Sequence, residues 1–184
     1  MTESGIHNMY FVAIVCPPEL DKKILKFKKW VKDRYGPVVA LKSPAHITLI
    51  HSFWLDESRE MNLQNTFERF KFEVGELEIQ LDGFSFFCKR TLFIRVHKDP
   101  TLSKLKQLVG NHFATSFGDA IKIGDQPFQP HVTIANRDIK PGDFEKAWQH
   151  FEKIKFAEKF CCSAISLLKL VAGKWQVIGE KKWK

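Results

Sequence analysis

Pro44-Ala45-His46-Ile47-Thr48-Leu49 is a stretch that returns later in the chain as Pro130-His131-Val132-Thr133-Ile134. In both copies a proline leads into a histidine, an aliphatic residue, a threonine and a second aliphatic residue. Because side chains alternate between the two faces of a β-strand, each histidine shares a face with its threonine while the aliphatic residues point into a core. The sequence therefore predicts two strands, each of which presents an imidazole beside a hydroxyl.

Strands and helices alternate around the two copies. The run 10–15 is continuously apolar and is closed by Pro17-Pro18, which is typical of a central strand. Apolar residues that recur at three- and four-residue steps predict the helices. The predicted helices are 19–35, 56–72, 99–117 and 143–152. The predicted strands are 10–15, 45–54, 76–87, 92–96 and 128–136, followed by an antiparallel hairpin over 160–184 that turns at 172–174.

The order of these elements predicts an α+β fold made of two similar halves. No Ser/Gly-rich linker separates the halves, so residues 1–184 are expected to form a single domain of two intimately packed lobes. If an approximate two-fold axis relates the lobes, the two His/Thr pairs face each other across a groove. That groove has room for one small anionic group, such as a phosphate.

Two histidines at such a groove suit the chemistry of a ribose phosphodiester. Its cleavage needs one group to take a proton from the attacking water or hydroxyl and another to protonate the departing alkoxide, and imidazole does both near neutral pH. Thr48 and Thr133 would donate to non-bridging phosphate oxygens. A metal site is the weaker hypothesis, because neither His46 nor His131 has an Asp, Glu or Cys at ligand spacing. We therefore expect no metal and no cofactor.

With these motifs the chain resembles the 2H phosphoesterase superfamily, in particular its bacterial 2′-5′ RNA ligase-like branch, whose hallmark is His-h-Thr-h twice, where h is hydrophobic. The strand 10–14, the aromatic stretch 83–87 before 92–94 and the hairpin at 165–168 are also similar to that branch. The resemblance implies a bilobal fold with two pseudo-symmetric lobes of antiparallel sheet, helices on the outside and an active-site cleft between the lobes. It also implies activity on 2′,3′-cyclic or 2′-5′-linked ribose phosphates.

The resemblance further suggests two substrate-binding residues. Members commonly carry an Arg after the second motif, and Arg137 keeps the strand parity of His131 and Thr133. Phe86 is the candidate for an aromatic residue near the cleft that stacks on a base or a ribose, with a place in the core as its alternative.

Other polar residues are interpreted as structural or solvated. His51 lies five residues after His46, so a regular strand would turn it to the opposite face. The lysines of the first helix, Lys28 among them, are expected to form a solvated face.

Composition limits the class of protein and its partners. The chain has 184 residues, a formal net charge of +8 and 44% apolar residues, which indicates a folded protein suited to anionic partners. Its four cysteines form no C-x-x-C pair, so neither a disulfide framework nor a zinc site is expected. The polar N-terminus and the short apolar runs predict no signal peptide and no membrane span. A cytoplasmic monomer is therefore expected.

Three functions remain open at this point. The favoured one is a metal-independent phosphodiesterase that acts on 2′,3′-cyclic or 2′-5′-linked phosphates of RNA ends or nucleotides. The second is 2′-5′ RNA ligation, which is the same acid-base chemistry in reverse. The third is a non-catalytic RNA- or nucleotide-binding module, for which replacing His46 or His131 would have little effect.

Overall fold

The computed structural model describes residues 6–73, 77–122 and 127–183. Within these residues eight strands form one sheet and four α-helices accompany it. The strands are β1 (His7–Val15), β2 (His46–Asp56), β3 (Leu77–Phe87), β4 (Thr91–Val96), β5 (His131–Ala135), β6 (Ala157–Cys162), β7 (Ala164–Val171) and β8 (Lys174–Lys182). The helices are α1 (Pro18–Tyr35), α2 (Glu60–Arg69), α3 (Pro100–Phe117) and α4 (Pro141–Phe151), with short 3₁₀ turns at Val39–Lys42 and Glu57–Arg59. Glu76 and Lys184, at the ends of two predicted segments, lie outside the described residues.

The strand order divides the sheet into two equivalent halves. It runs β6-β3-β4-β5-β2-β1-β7-β8 with antiparallel neighbours, so β5 and β2 lie at the centre. The chain passes through β1-α1-β2-α2 and later through β4-α3-β5-α4, and both α1 and α3 have 18 residues and begin at a proline. The predicted α+β fold with two pseudo-symmetric lobes of antiparallel sheet is confirmed.

The lobes meet at the centre of the sheet. Ile47 of β2 pairs with Val132 of β5, and both side chains are completely buried. α1 packs against β5 and α3 against β2, so each of these helices covers the central strand of the other lobe. One large core cluster results, and it includes fully buried rings from three of the helices: Phe67, Phe113, Phe117, Phe144 and Phe151.

Local signals in the sequence set the ends of the two long helices. Pro18 and Pro100 stand in the first helical turn, where the missing amide hydrogen would have no partner within the helix. Asp99 caps α3 by accepting a hydrogen bond from the N–H of Leu102 at 2.9 Å. Gly36 ends α1 in the left-handed conformation, with φ of 84°. In the described part of the chain no helix has the length and apolar composition to cross a membrane.

The predicted terminal hairpin is wrong at its start. Residues 160–162 belong to β6, which pairs with β3 at the outer edge of one lobe, whereas the hairpin of β7 and β8 lies beside β1 in the other. Only Ser163 separates β6 from β7, and no Gly or Pro marks this change of partner. The turn itself is at the predicted position, with Ala172 and Gly173 both at positive φ as a two-residue hairpin turn requires. One residue cannot span the width of a flat eight-stranded sheet. The sheet is therefore curved, so that β6 in one lobe and β7 in the other come close together at Ser163.

We propose that the two lobes unfold as one unit, because they share the contact of β2 with β5 and cover each other's central strands. Ile47→Ala leaves a cavity at that contact and is expected to lower the free energy of unfolding by about 2–5 kcal/mol. Urea titrations followed by tryptophan fluorescence and by far-UV circular dichroism should give coincident transitions. Val177→Ala, at a side chain that is 47% exposed, is the control and should change the free energy by less than about 0.5 kcal/mol. Two separate transitions would contradict the proposal.

Candidate active site

The four polar side chains of the two motifs meet on one face of the sheet. The pairing of the two central aliphatic residues places His46 opposite Thr133 and Thr48 opposite His131 when the register is extended by one residue on each side. Residues directly opposite each other in an antiparallel pair have α-carbons about 4.5–5.5 Å apart. All four side chains line one cavity of about 520 Å³. The strand pairing thus gathers two imidazoles and two hydroxyls in one place.

Each imidazole is oriented by the same hydrogen bond. Nδ1 of His46 lies 2.7 Å from the carbonyl oxygen of Pro44, and Nδ1 of His131 lies 2.7 Å from the carbonyl oxygen of Gln129. A carbonyl oxygen can only accept, so the hydrogen sits on Nδ1 in both rings. Nε2 is then the nitrogen of each ring that remains to accept or donate a proton, and both rings line the cavity.

Aromatic rings hold both imidazoles in place. The ring centroid of Phe11 lies 4.8 Å from that of His46, and Phe93 lies 5.0 Å from His131. A second ring backs the first in each lobe: Trp175 at 4.6 Å from Phe11, and Phe87 at 4.2 Å from Phe93. These contacts restrict ring rotation and remove water from the apolar side of each imidazole.

The two imidazoles differ in how readily they hold a proton. Burial lowers the pKa of His46 to about 4, and the positive charges of Lys28 and of protonated His131 add to the effect. Burial also lowers the pKa of His131 from its ordinary value of 6.5, with a smaller contribution from His51. In each ring the hydrogen bond to the backbone carbonyl opposes the shift. Both rings therefore hold a proton less readily than an exposed histidine.

A buried lysine lies behind the first motif. Lys28 is only 3% exposed, so the prediction of a solvated position is wrong for this residue. The reason is its place on the buried stripe of α1, which also contains Leu20, Ile24 and Val31. Its ammonium donates a hydrogen bond to the carbonyl oxygen of Ser43 at 3.1 Å. Burial lowers the pKa of Lys28 to about 8, although the carboxylate of Asp21 opposes the shift.

Two more hydrogen bonds hold the segment that precedes His46. The Asp21 carboxylate accepts from the N–H of Ala45 at 2.6 Å, and the N–H of Cys16 donates to the Ala45 carbonyl at 2.8 Å. Together with the buried lysine, these groups fix the backbone on both sides of Pro44. Because the Pro44 carbonyl orients His46, α1 positions the first imidazole from behind.

His51 also faces the cavity, which corrects the expectation that it points away. β2 is irregular at this point, since the consecutive residues Leu49 and Ile50 are both buried and the register with β1 shifts nearby. This irregularity turns His51 to the same side as the motif histidine. Burial and the positive charge of Lys106 lower the pKa of His51.

The two residues suggested as substrate contacts occupy different places. Arg137 lines the cavity, but it does so from the turn after β5, because that strand ends at Ala135. Phe86 does not line the cavity, and its ring packs against α4, with its centroid 4.9 Å from that of Trp148. Strand alternation brings the next residue, Phe87, into the cavity wall instead.

Several cavity residues carry no signal in the two motifs. Phe11 lies inside the continuous apolar run of β1, and Trp175 lies in the terminal hairpin, where sequence reasoning assigned no role. The remaining lining residues are small, polar or aliphatic: Val39, Ala40, Ser43, Ser52, Thr91 and Asn136. Among the described residues no group of three or more His, Cys, Asp or Glu side chains is placed to hold a metal ion.

A family model identifies the family of the chain, and solved structures are similar to it in fold. A family model described as the 2′-5′ RNA ligase superfamily matches residues 16–174. Escherichia coli LigT in its apo form is 17% identical with a TM-score of 0.68, over 97% of this chain and 98% of that chain. LigT complexed with 3′-AMP has 17% identity and a TM-score of 0.67, over 97% and 99% of the two chains. TT0787 of Thermus thermophilus has 18% identity and a TM-score of 0.66, over 95% and 97%. No curated protein matches the sequence significantly.

The buried ammonium of Lys28 should be visible in the pH dependence of stability. Its pKa is lowered from 10.5 to about 8 in the folded chain, so the folded state loses this proton at a lower pH than the unfolded state. Stability from this group is therefore missing below about pH 8 and is gained as the pH rises toward 10.5, by about 3 kcal/mol in total. The difference in free energy of unfolding between wild type and Lys28→Met, measured by urea titration, is expected to move in favour of wild type by that amount.

Lys29→Met is the matched control, because Lys29 is an exposed neighbour on the same helix. Its difference from wild type should be nearly constant between pH 7 and pH 10.5. Equal pH dependence in the two variants would show that Lys28 keeps an ordinary pKa.

Proposed function

The chain belongs to the 2′-5′ RNA ligase superfamily, and we propose that it is a metal-independent phosphodiesterase that opens 2′,3′-cyclic phosphates of RNA ends or nucleotides. One observation carries this proposal: two imidazoles with Nδ1 engaged by the backbone line the same cavity, each opposite the threonine of the other motif. Imidazole pairs of this kind supply both proton transfers of phosphodiester cleavage.

The reaction needs only water as a second reactant. A water oxygen attacks phosphorus while one Nε2 accepts its proton, and the bond from phosphorus to one ribose oxygen breaks. The other Nε2 gives its proton to that oxygen, so the product is a ribose phosphomonoester with a free neighbouring hydroxyl. Thr48 and Thr133 donate hydrogen bonds to the non-bridging oxygens as negative charge accumulates on them. Arg137, from the turn after β5, adds a positive charge at the rim of the cavity.

The proton affinities of the two rings support an assignment of roles. Because His46 holds a proton less readily than His131, the singly protonated free enzyme carries its proton mainly on His131. In that form His46 is ready to act as the base and His131 as the acid. An anionic phosphate in the cavity favours protonation further, since it faces both rings.

The ligands of a structural relative fit the same class of substrate. Escherichia coli LigT has been crystallised with 3′-AMP and with ATP. A ribonucleotide with a 3′-phosphate is also one of the two products that opening a 2′,3′-cyclic phosphate can yield. With the 5′-hydroxyl of a second RNA end in place of water as the attacking group, and with cleavage of the bond from phosphorus to the 3′ oxygen, the same site would join RNA ends through a 2′-5′ bond. The net charge of +8 suits either reaction.

Loss of either motif histidine should abolish most of the activity. In the presence of EDTA, we expect wild type to hydrolyse 2′,3′-cyclic mononucleotides and cyclic-phosphate-ended oligoribonucleotides, with His46→Ala and His131→Ala each about 10²- to 10⁴-fold slower in kcat. Chromatography of the products identifies which ester bond breaks. His97→Ala, at an exposed histidine outside the catalytic cavity, is the matched control and should retain wild-type turnover.

Other outcomes would point to the alternatives. Joining of RNA ends without hydrolysis would favour the ligase, and the 2′-5′ linkage would be detected by its resistance to nucleases that cut 3′-5′ bonds. Absence of turnover on every substrate, with RNA binding unchanged in both histidine variants, would favour a non-catalytic binding module.

The pH profile should lie on the acidic side of neutrality. His46 must be unprotonated, so kcat/KM is expected to rise as pH passes about 4, and His131 must be protonated, so kcat/KM is expected to fall through a pKa below 6.5. A phosphodiester with a nitrophenol leaving group needs little protonation and should restore activity to His131→Ala but not to His46→Ala. Rescue of His46→Ala instead would reverse the two roles.

A further inference from the structure

A second cavity adjoins the catalytic one. It has a volume of about 630 Å³ and shares four wall residues with the catalytic cavity: Thr48, His51, Phe87 and His131. Its remaining walls come mainly from α3, β2 and the segment that leads into β5. A molecule whose reacting phosphate lies between the two motifs would therefore have direct access to this second cavity.

The side chains of the second cavity suit a nucleotide. Lys106 on α3 lies over the ring of Phe128, with Nζ 5.6 Å from the ring centroid. Gln107, Asn111 and Gln129 add amide groups that both donate and accept hydrogen bonds. Bases stack on aromatic rings in many single-stranded nucleic acid sites, and lysines contact the adjoining phosphates.

The charged wall residues of this cavity that the structure describes are all positive. Lys106 and Lys122 line it, and its described wall residues include no Asp or Glu. The positive charge of Lys106 also lowers the pKa of His51 at the junction of the two cavities. A second phosphate would relieve this excess of positive charge, whereas an apolar or cationic molecule would not.

We propose that the second cavity binds the RNA nucleotide next to the one that carries the reacting phosphate, with its base on Phe128 and its phosphate at Lys106 and Lys122. This proposal rests on the proposed function and adds that the substrate is an oligoribonucleotide end. Cavities of about 300–1,000 Å³ enclose small organic ligands, so the space suffices for one nucleotide. A cyclic mononucleotide has no second nucleotide, so it makes no base contact with Phe128 and no phosphate contact with Lys106 or Lys122.

The experiment compares two substrates that end in the same nucleoside 2′,3′-cyclic phosphate, a mononucleotide and a trinucleotide. Wild type is expected to show kcat/KM about tenfold or more higher for the trinucleotide, which is the effect of one base stacked on an aromatic ring. Phe128→Leu and Lys106→Gln should each reduce this ratio several-fold. Lys104→Gln, an exposed lysine of α3 outside the cavity, should leave the ratio as it is.

Binding is measured separately so that the two proposals can fail separately. The probe is a fluorescently labelled trinucleotide with a 3′-phosphate, followed by anisotropy at several salt concentrations. In Lys106→Gln the slope of log Kd against log salt should fall by about 0.7, which corresponds to one phosphate contact on a single strand. Lys104→Gln should keep the wild-type slope.

The outcomes of the two experiments distinguish failure of the second-cavity proposal from failure of the hydrolase proposal. Turnover of both substrates at equal kcat/KM, or equal loss with both substrates in Phe128→Leu and Lys106→Gln, would overturn the second-cavity proposal and leave the hydrolase proposal standing. Failure to hydrolyse either substrate, with trinucleotide binding weakened in Phe128→Leu and Lys106→Gln but not in Lys104→Gln, would overturn the hydrolase proposal and support the second cavity as an RNA site.

Discussion

The antiparallel pairing of β2 with β5 is the contact on which the site depends. Within each motif the histidine and the threonine have the same parity, so an in-phase pairing of the two strands places all four side chains on one face. A slip of one residue would send one motif to the opposite face. Burial of Ile47 and Val132 on the core side opposes that slip, because the aliphatic side chain of the slipped strand would then leave the core. The hydrophobic core and the polar site are thus two faces of the same pairing.

The two lobes are alike in geometry and unlike in electrostatics. Both imidazoles are turned by a carbonyl two residues earlier in the chain, and both rest on an aromatic ring of the neighbouring strand. The difference lies around them. His46 is near the buried ammonium of Lys28, whereas His131 borders the second cavity. Burial is the main cause that lowers the pKa of both rings, and the charge of Lys28 adds to it only at His46.

Much of the architecture could be predicted from repetition and periodicity. The two motifs, the four helices and the α+β organisation follow from patterns that the sequence displays directly. The errors have local causes. Lys28 is a charged residue on a buried stripe, and His51 follows an irregularity of one residue in β2. Phe86 and Phe87 are adjacent aromatic residues, and composition does not indicate which of them lines the cavity. The division of β6 from β7 escaped prediction because extended chain continues through it without a turn residue. The roles of the motif side chains and of Arg137 stay predictions that mutagenesis must test.

The passage of the chain through Ser163 has a consequence for how ligands are admitted. β6 is hydrogen-bonded to β3 in one lobe and β7 to β1 in the other, and one residue links them. A hinge motion that separated the lobes would therefore have to break the hydrogen bonds of one of these two strand pairs. The connection through Ser163 therefore joins the two lobes at a second place, besides the contact of β2 with β5, and limits how far they can separate. Ligand entry then depends on the shape of the cavity and on side-chain rotamers at its rim rather than on a movement of the lobes.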